Sequence, residues 1–284
     1  LIRWCQSAVF QPRFVIHSWN PDGVPTEPWS YPEITETIVE LIKEHYRFMP
    51  YIYNCAIHSF QTGAPMERPL SLEFYGDTQV EFEDFNYMCG DSVLVIAPIK
   101  ESVERFPVYL PKGHNWYDPH KGCLVKGGCH LEVDYPLTGV RYFVKAGSVV
   151  PVTDHTTSLF HSFFQHVLFR LYPREQESSI YHYIEDDGES DFKEGMYNEW
   201  LVEITSEGGS DIYSLALQRV KESVQTEEPE GRSFSFELPA GFEFIDKEDK
   251  VIGQRVSLQV KPGSMNVGLK FRGSYNPSSY IIKE

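Results

Sequence analysis

Apolar residues recur at helical spacing in the first turns of the chain, at Ile2, Cys5, Val9 and Phe10, with polar Arg3 and Gln6 between them. Pro12 ends that pattern, because proline cannot continue a helix. Residues 13–16 then contain three consecutive apolar side chains and predict a short buried strand that ends at the polar His17. A helix, a buried strand and a polar group at the strand's C-terminal tip form the unit that builds the active-site face of an α/β barrel.

A longer helical pattern follows, with one apolar face made by Ile34, Ile38, Leu41, Ile42, His45, Met49 and Ile52. Ser30 and Glu33 are spaced as a capping box at its start. Pro50 predicts an interruption near Arg47. A second helix is expected over about residues 51–61, with Gly63 at its C-terminal cap.

Short apolar runs bounded by Gly, Pro or Asp replace the helical patterns after this point, as in β-sandwiches. Predicted strands at 93–99, 106–110, 124–125, 131–133, 141–144 and 149–152 form one sandwich. A second sandwich is predicted from strands at 167–171, 180–184, 200–205, 212–217, 234–238, 256–260 and 266–271. The predicted fold is therefore mainly β: the last strand and helices of a (β/α)8 barrel in residues 1–75, a proximal sandwich in 76–160 and a distal sandwich in 161–284.

Composition and charge narrow the function classes. Hydrophobic residues make up 41% of the 284 residues, which is enough for packed cores. The net charge of −16 argues against nucleic acid and anionic membrane surfaces as partners. No apolar run reaches transmembrane length. No signal peptide is visible, but the sequence opens on Leu in mid-helix, so this absence does not indicate a location. The location is left as unknown, with the cytoplasm favoured. A homo-oligomer is neither indicated nor excluded.

Five cysteines leave at least one thiol unpaired. Cys5, Cys55 and Cys89 stand in apolar surroundings and are expected to be buried thiols. Cys123 and Cys129 flank a Lys-Gly-Gly turn, where either a cross-strand disulfide or two free thiols could stand; a reducing compartment favours the thiols.

Two polar clusters raise the question of a metal. The sequence Glu-Asp-Asp-Gly-Glu-Ser at 185–190 lacks EF-hand spacing, and its Asp187-Gly188 pair indicates a hairpin turn rather than calcium. His114, Asp118 and His120 are interrupted by Pro119 and do not follow a zinc pattern. We expect no metal and no cofactor.

The motif R-W-x-Q-x-x-x-F-x-P-x-x-x-x-H at residues 3–17, followed by E-P-W, resembles the end of the catalytic barrel of glycoside hydrolase family 31. The resemblance continues in the same order through M-P-Y-I-Y at 49–53, R-P-L at 68–70, G-D-S at 90–92, V-Y-L-P at 108–111, W-Y-D at 116–118 and A-G-S at 146–148. Family 31 contains retaining α-glucosidases and related α-xylosidases and α-galactosidases.

This resemblance implies the C-terminal portion of a retaining α-glycosidase that hydrolyses terminal α-linked sugars without a metal. Its two catalytic aspartates are expected upstream, on earlier barrel strands of the same polypeptide. No residue of this chain is predicted to be catalytic, because nothing in the sequence places the carboxylates of Glu73, Glu83, Asp84 and Asp91 on the barrel's active-site face.

The resemblance places His17 on the family histidine that binds hydroxyls of the cleaved sugar. Trp19 can offer an aromatic wall, so His17 and Trp19 are the predicted substrate-binding residues, for an α-glycoside or oligosaccharide. Val15 and Ser18 stand where many members have Arg and Asn, which leaves α-glucoside, α-xyloside, α-galactoside and N-acetylated sugars open. The alternative function is a non-catalytic carbohydrate-binding or scaffolding β-sandwich module.

Overall fold

The computed structural model describes residues 1–17, 21–101, 103–154, 167–208, 210–223, 232–260 and 266–274. The helices in this part are α1 (Ile2–Ala8), α2 (Thr35–Arg47), α3 (Met49–Thr62) and α4 (Leu70–Glu73), with single 3-10 turns at Pro32–Ile34, Thr78–Val80 and Phe192–Glu194. The first nine strands are β1 (Glu67–Pro69), β2 (Asn86–Cys89), β3 (Val93–Ile96), β4 (Arg105–Leu110), β5 (Asn115–Asp118), β6 (Cys123–Lys126), β7 (Cys129–Asp134), β8 (Arg141–Lys145) and β9 (Ser148–Thr153).

The remaining strands lie in the C-terminal half of the chain. They are β10 (Val167–Tyr172), β11 (Ser179–Glu185), β12 (Asn198–Ser206), β13 (Ile212–Lys221), β14 (Arg232–Glu237), β15 (Phe242–Ile245), β16 (Val251–Gly253), β17 (Arg255–Val260) and β18 (Asn266–Gly273). The predicted mainly β architecture is therefore confirmed.

The helices follow the predicted pattern closely. Ile38, Leu41 and His45 are the buried residues of α2. A break at Phe48 separates α2 from α3, and Pro50 stands in the first turn of α3, where its missing N–H costs no hydrogen bond. Gly63 caps α3 in the left-handed conformation, as its position predicted.

The capping box predicted at Ser30 is wrong. The helical turn begins instead at Pro32, with Tyr31 as its N-cap residue and no side-chain cap. The Ser30 hydroxyl accepts a hydrogen bond from the Glu27 amide at 2.8 Å, so it closes the preceding turn and does not cap the helix.

Residues 13–17 form no strand in the structure. Phe14, Val15 and Ile16 are only half-buried, whereas the sequence predicted a fully buried strand. A strand of a parallel sheet needs neighbours for its backbone groups, and none of the described segments pairs with this one. The predicted strand is therefore absent from the described residues, because no neighbouring strand pairs with residues 13–17.

The chain divides into two compact units, and the division passes through β8. The described residues of the first unit are 1–17, 21–101, 103–114 and 126–143. Here β1, β2 and β3 form antiparallel pairs beside β8, and β4 pairs with β7. Phe10, Phe48 and Tyr142 meet in its core, with ring centroids 4.6 to 5.5 Å apart, and so join the residues after α1, the α2–α3 junction and β8.

The second unit contains a β-sandwich. One sheet has the order β17-β14-β10-β9 and the other β11-β12-β13-β18-β15-β16. In β12, Trp200, Val202 and Ile204 are buried while the residues between them face outward, the alternation of a sheet with one covered face. These side chains join Phe169 and Phe234 in one hydrophobic core. The core supports the predicted distal sandwich. One strand differs from the prediction: the sequence predicts β9 in the proximal sandwich, but it pairs with β10 in the sheet of the second unit.

Short strands without clear alternation were missed by the sequence analysis: β1, β2, β5, β15 and β16. Each has only three or four residues, so its strand character comes from the neighbouring strand more than from its own composition.

The turn between Cys123 and Cys129 does not join a strand pair, because β7 pairs with β4 while β6 belongs to the sheet that contains β5. All five cysteines are free thiols. The alternative of a disulfide is therefore wrong for this structure. Burial raises the pKa of the Cys5 thiol to about 11, which keeps it protonated and unreactive at neutral pH.

Gly90 directly follows β2 and has a left-handed conformation with φ +56°. A Cβ atom at this position would lie 2.6 Å from the Cys55 Sγ and 2.8 Å from the Tyr51 hydroxyl. That hydroxyl donates to the Cys89 carbonyl at 2.7 Å and accepts from the Ser92 amide at 3.3 Å. The glycine therefore lets α3 approach the turn after β2.

We predict that Gly90→Ala destabilises the protein by about 3 kcal/mol, from a left-handed alanine plus an overpacked contact. Gly113→Ala is the matched control, because Gly113 also has a positive φ, of +88°, but its added Cβ would meet nothing within 4 Å. The control should cost only about 1 kcal/mol. Urea unfolding followed by tryptophan fluorescence measures both, and equal losses would contradict the packing argument.

Candidate functional site

A cavity of about 520 Å³ opens in the first unit beside α1 and the residues that follow Pro12. It is lined by Leu1, Trp4, Ile16, His17, Thr26, Tyr31, Glu33 and Ile34. These residues come from α1, from the predicted barrel strand, from the following loop and from the 3-10 turn. The cavity thus lies beside the segment at which the sequence predicts the end of a barrel strand.

The lining combines aromatic rings with a few polar groups. Trp4 and Tyr31 are 44% and 47% exposed, and His17, Thr26 and Glu33 add an imidazole, a hydroxyl and a carboxylate. A sugar ring has apolar C–H faces and a rim of hydroxyls, so aromatic walls with hydrogen-bonding groups suit it. His17 lines this cavity, while Trp19 lies outside the described residues.

The backbone leading to His17 is held by Trp4. The Trp4 indole N–H donates to the Val15 carbonyl at 2.8 Å. The Phe14 ring packs against His45 of α2 with centroids 5.4 Å apart. The segment that carries His17 is thus attached to two helices.

Arg3 and Gln6, the other residues of the R-W-x-Q motif, hold α1 in place. The Arg3 guanidinium donates to the carbonyls of Val103, Tyr135 and Pro136, and it lies over the Tyr135 ring at 4.4 Å. The Gln6 amide donates to the carbonyls of Pro136 at 2.9 Å and Gly139 at 2.7 Å. Hydrogen bonds from a charged donor are among the stronger ones in proteins, so this set fixes α1 against the loop between β7 and β8 and against Val103, which precedes β4.

His45 is structural, as its place on a helix face predicted. It is buried, and its Nδ1 lies 2.7 Å from the Val9 carbonyl, to which it donates. Burial lowers its pKa, so the neutral ring that joins α2 to the residues after α1 persists at neutral pH.

The carboxylates of the residues not predicted to be catalytic make local contacts or lie on the surface; these residues are Glu73, Glu83, Asp84 and Asp91. Glu73 accepts from the Arg68 guanidinium at 2.8 Å. Glu83 accepts from the amides of Phe85 and Asn86 at 3.1 Å. Asp84 and Asp91 are exposed.

No group of three potential metal ligands occurs among the described residues. Asp118 accepts from the amides of His120 at 2.9 Å and Lys121 at 3.3 Å, so its buried carboxylate stabilises a turn. Asp186 accepts from the Gly188 amide at 3.0 Å. The turn predicted at Gly188 is present, but it belongs to a twelve-residue connection between β11 and β12 and not to a tight hairpin.

Four cavity residues besides His17 carry useful chemistry and were not predicted as site residues: Trp4, Thr26, Tyr31 and Glu33. Trp4 is the second residue of the R-W-x-Q motif. Its place in that motif, shortly before the predicted strand, was the sequence signal that could have marked it as a site residue. The sequence predicts Glu33 only as part of a capping box and gives no role to Tyr31, because the approach of both residues to His17 depends on the course of the loop at 21–30.

Family models match the chain in the order that the sequence predicts, with the end of a barrel first and a C-terminal domain after it. Residues 1–55 match the family model for the glycosyl hydrolases family 31 TIM-barrel domain, and residues 63–150 match the family 31 C-terminal domain. The two matches follow each other along the chain and together cover about half of it.

The chain belongs to glycoside hydrolase family 31.

It corresponds to the C-terminal part of such an enzyme. It is 30% identical to an alpha-xylosidase of Saccharolobus solfataricus over 220 residues, which are 77% of this chain and 29% of the relative. It is 32% identical to neutral alpha-glucosidase C of Mus musculus over 154 residues, which are 54% of this chain and 17% of the relative. The chain thus spans less than a third of the length of either relative.

Solved family 31 structures share the fold. A dextranase of Flavobacterium johnsoniae aligns with a TM-score of 0.79 at 21% identity, over 96% of this chain and 37% of that one. An alpha-xylosidase of Xanthomonas citri aligns with a TM-score of 0.74 at 20% identity, over 94% of this chain and 28% of that one. Within the described residues, no helix is long and apolar enough to cross a membrane.

The later family 31 motifs serve the fold of this chain. Asp77 accepts from the Tyr109 hydroxyl at 2.9 Å and the Lys112 amide at 3.0 Å, which anchors the V-Y-L-P strand. Burial alone would raise the pKa of Asp77, but these hydrogen bonds and a third from the Gln79 amide lower it below its usual value. Asp77 is therefore a stable, ionised anchor and not a proton donor.

We predict that Arg3→Lys lowers the free energy of unfolding by about 2 kcal/mol, because one ammonium cannot reach three carbonyls arranged for a guanidinium fork. Arg13→Lys, at an exposed position ten residues on, is the control and should change stability little. Chemical unfolding of the two variants makes the comparison. A stable Arg3→Lys protein would mean that the carbonyl contacts do not hold α1.

Proposed function

We propose that this chain completes the substrate pocket of a retaining α-glycosidase, an α-glucosidase-like enzyme that hydrolyses terminal α-linked sugars. The observation that carries the proposal is the position of His17 in a cavity with Trp4 and Tyr31. That cavity lies within residues 1–55, which match the family's TIM-barrel domain. Enzymes of this fold place their active sites at the C-terminal tips of the strands.

The reaction is a double displacement at the anomeric carbon. One aspartate attacks that carbon while a carboxylic acid protonates the leaving oxygen, and water then hydrolyses the glycosyl-enzyme. We place both carboxylates upstream of this chain, on earlier barrel strands of the same polypeptide. Among the described residues that line the cavity, Glu33 is the single carboxylate, whereas the mechanism requires two about 5 Å apart.

His17 acts by binding in this proposal. Its imidazole forms hydrogen bonds with hydroxyls of the sugar being cleaved, and these bonds tighten as the ring flattens toward the oxocarbenium-like transition state. Trp19, just beyond His17, supplies an aromatic wall for the same ring. Neither residue moves a proton.

We also propose the three-part organisation of a barrel end at 1–75, a proximal sandwich at 76–160 and a distal sandwich at 161–284. The family's C-terminal domain match at 63–150 and the sandwich core around Phe169 support it. Five free thiols support a reducing, cytoplasmic setting. The substrate partner is an α-glycoside or oligosaccharide, and Val15 and Ser18 in place of Arg and Asn bear on which sugar is accepted.

His17→Ala in the complete enzyme should fold normally and lose about a hundredfold or more in kcat/KM, because hydrogen bonds that strengthen in the transition state contribute several kcal/mol. The anomeric configuration of the product should not change. Steady-state kinetics with nitrophenyl α-glycosides and NMR of the first-formed product measure both effects.

The matched control for this experiment is His58→Ala, which removes an exposed imidazole from α3. It should leave kcat/KM unchanged. Near-wild-type kinetics in a well-folded His17→Ala enzyme would contradict the binding role and return His17 to the structural histidines.

The chain by itself should not hydrolyse glycosides, because the proposed nucleophile and acid/base lie outside it. Purified chain and complete polypeptide are to be assayed side by side with a panel of nitrophenyl α-glycosides. Turnover by the isolated chain would refute the upstream placement of the carboxylates. A complete polypeptide that binds sugar without turnover would instead support the non-catalytic module.

A further inference from the structure

Trp4 contributes two different surfaces at the cavity. Its ring lines the cavity and is 44% exposed, while its indole N–H is used to donate to the Val15 carbonyl at 2.8 Å. Val15 stands two residues before His17. The hydrogen bond therefore links the wall of the cavity to the backbone that carries His17.

The donor of this hydrogen bond belongs to a firmly held helix. Trp4 belongs to α1, which Arg3 and Gln6 attach to the carbonyls at 103 and 135–139. The Tyr87 hydroxyl also donates to the Ser7 carbonyl at 2.9 Å, which fixes α1 to β2. Trp4 is therefore carried by a fixed element.

The segment that carries His17 contacts α1 and α2 within the described residues. The Val15 carbonyl accepts from Trp4 of α1, and the Phe14 ring packs against His45 of α2. The hydrogen bond from Trp4 thus joins the fixed helix to the backbone two residues before His17.

We propose that Trp4 is a positioning residue for substrate binding: its indole N–H holds the Val15 carbonyl and so sets the place of the His17 imidazole in the cavity. The inference rests on the proposed function of His17. It assigns to the second residue of the R-W-x-Q motif a role separate from that of Arg3 and Gln6, which hold the helix itself. The effect on the reaction passes through His17 and not through direct contact of the indole N–H with the sugar.

Trp4→Phe keeps an aromatic wall and removes the donor. Loss of one hydrogen bond that orients a binding group should lower kcat about fivefold. KM should change little, because the contacts of His17 tighten in the transition state. Replacement of Trp4 by benzothienylalanine, which has the shape of tryptophan with sulfur in place of the N–H, should give the same loss and separates the donor from ring size.

The deciding experiment is a double-mutant cycle in the complete enzyme, with wild type, Trp4→Phe, His17→Ala and the double variant. If Trp4 acts through His17, Trp4→Phe has no further effect once His17 is alanine. Trp29→Phe is the control, since Trp29 is 66% exposed and does not line the cavity. It should leave both kinetic constants unchanged, and thermal unfolding should confirm that every variant is folded at the assay temperature.

The outcomes separate this inference from the proposed function. An unaffected His17→Ala enzyme would overturn the role of His17 and the role of Trp4 with it. A third outcome is that His17→Ala is strongly impaired while Trp4→Phe lowers kcat by the same factor in the wild-type and His17→Ala backgrounds. That result would support the proposed function and overturn positioning by Trp4. Full activity of the benzothienylalanine enzyme would also overturn it. Loss with Trp4→Phe that disappears in the His17→Ala background supports it.

Discussion

Hydrogen bonds from two side chains of one short helix to backbone carbonyls in a distant loop are the contacts on which the first unit depends. Arg3 and Gln6 reach the loop between β7 and β8, more than 130 residues away in sequence. A helix of seven residues is not stable in isolation, so α1 requires tertiary contacts to exist at all. Backbone carbonyls are suitable partners because their positions are set by the strands on either side.

Once α1 is fixed, its faces perform different tasks. Cys5 and Ala8 face the core, and the following Phe10 packs with Phe48 and Tyr142. Trp4 points the other way, toward the cavity. One anchored helix thus joins the packed interior of the first unit to the surface proposed to bind sugar.

Most family motifs in this chain make the scaffold and not the site. Gly90 allows the close approach of Tyr51, and Asp77 gathers the hydrogen bonds of Tyr109 and Lys112. Within the part of the chain that the structure describes, only the motif at residues 3–17 reaches the cavity, through Trp4 and His17. A motif shared with a family of enzymes therefore does not by itself mark a functional residue. The contacts of each side chain decide between the two roles.

The sequence alone determined helices α1, α2 and α3, most strands and the family, because periodicity, proline and glycine act locally and motifs retain their order. The role of His17 stays a prediction. Four features came only from the tertiary structure. Phe14, Val15 and Ile16 are half-buried, and the Ser30 hydroxyl closes the preceding turn instead of capping the helix. Strands β6 and β7 lie in separate sheets, and Thr26, Tyr31 and Glu33 line the same cavity as His17. Each depends on which distant segment lies alongside, and hydrogen bonds and packing between such segments leave no periodic signal in the sequence.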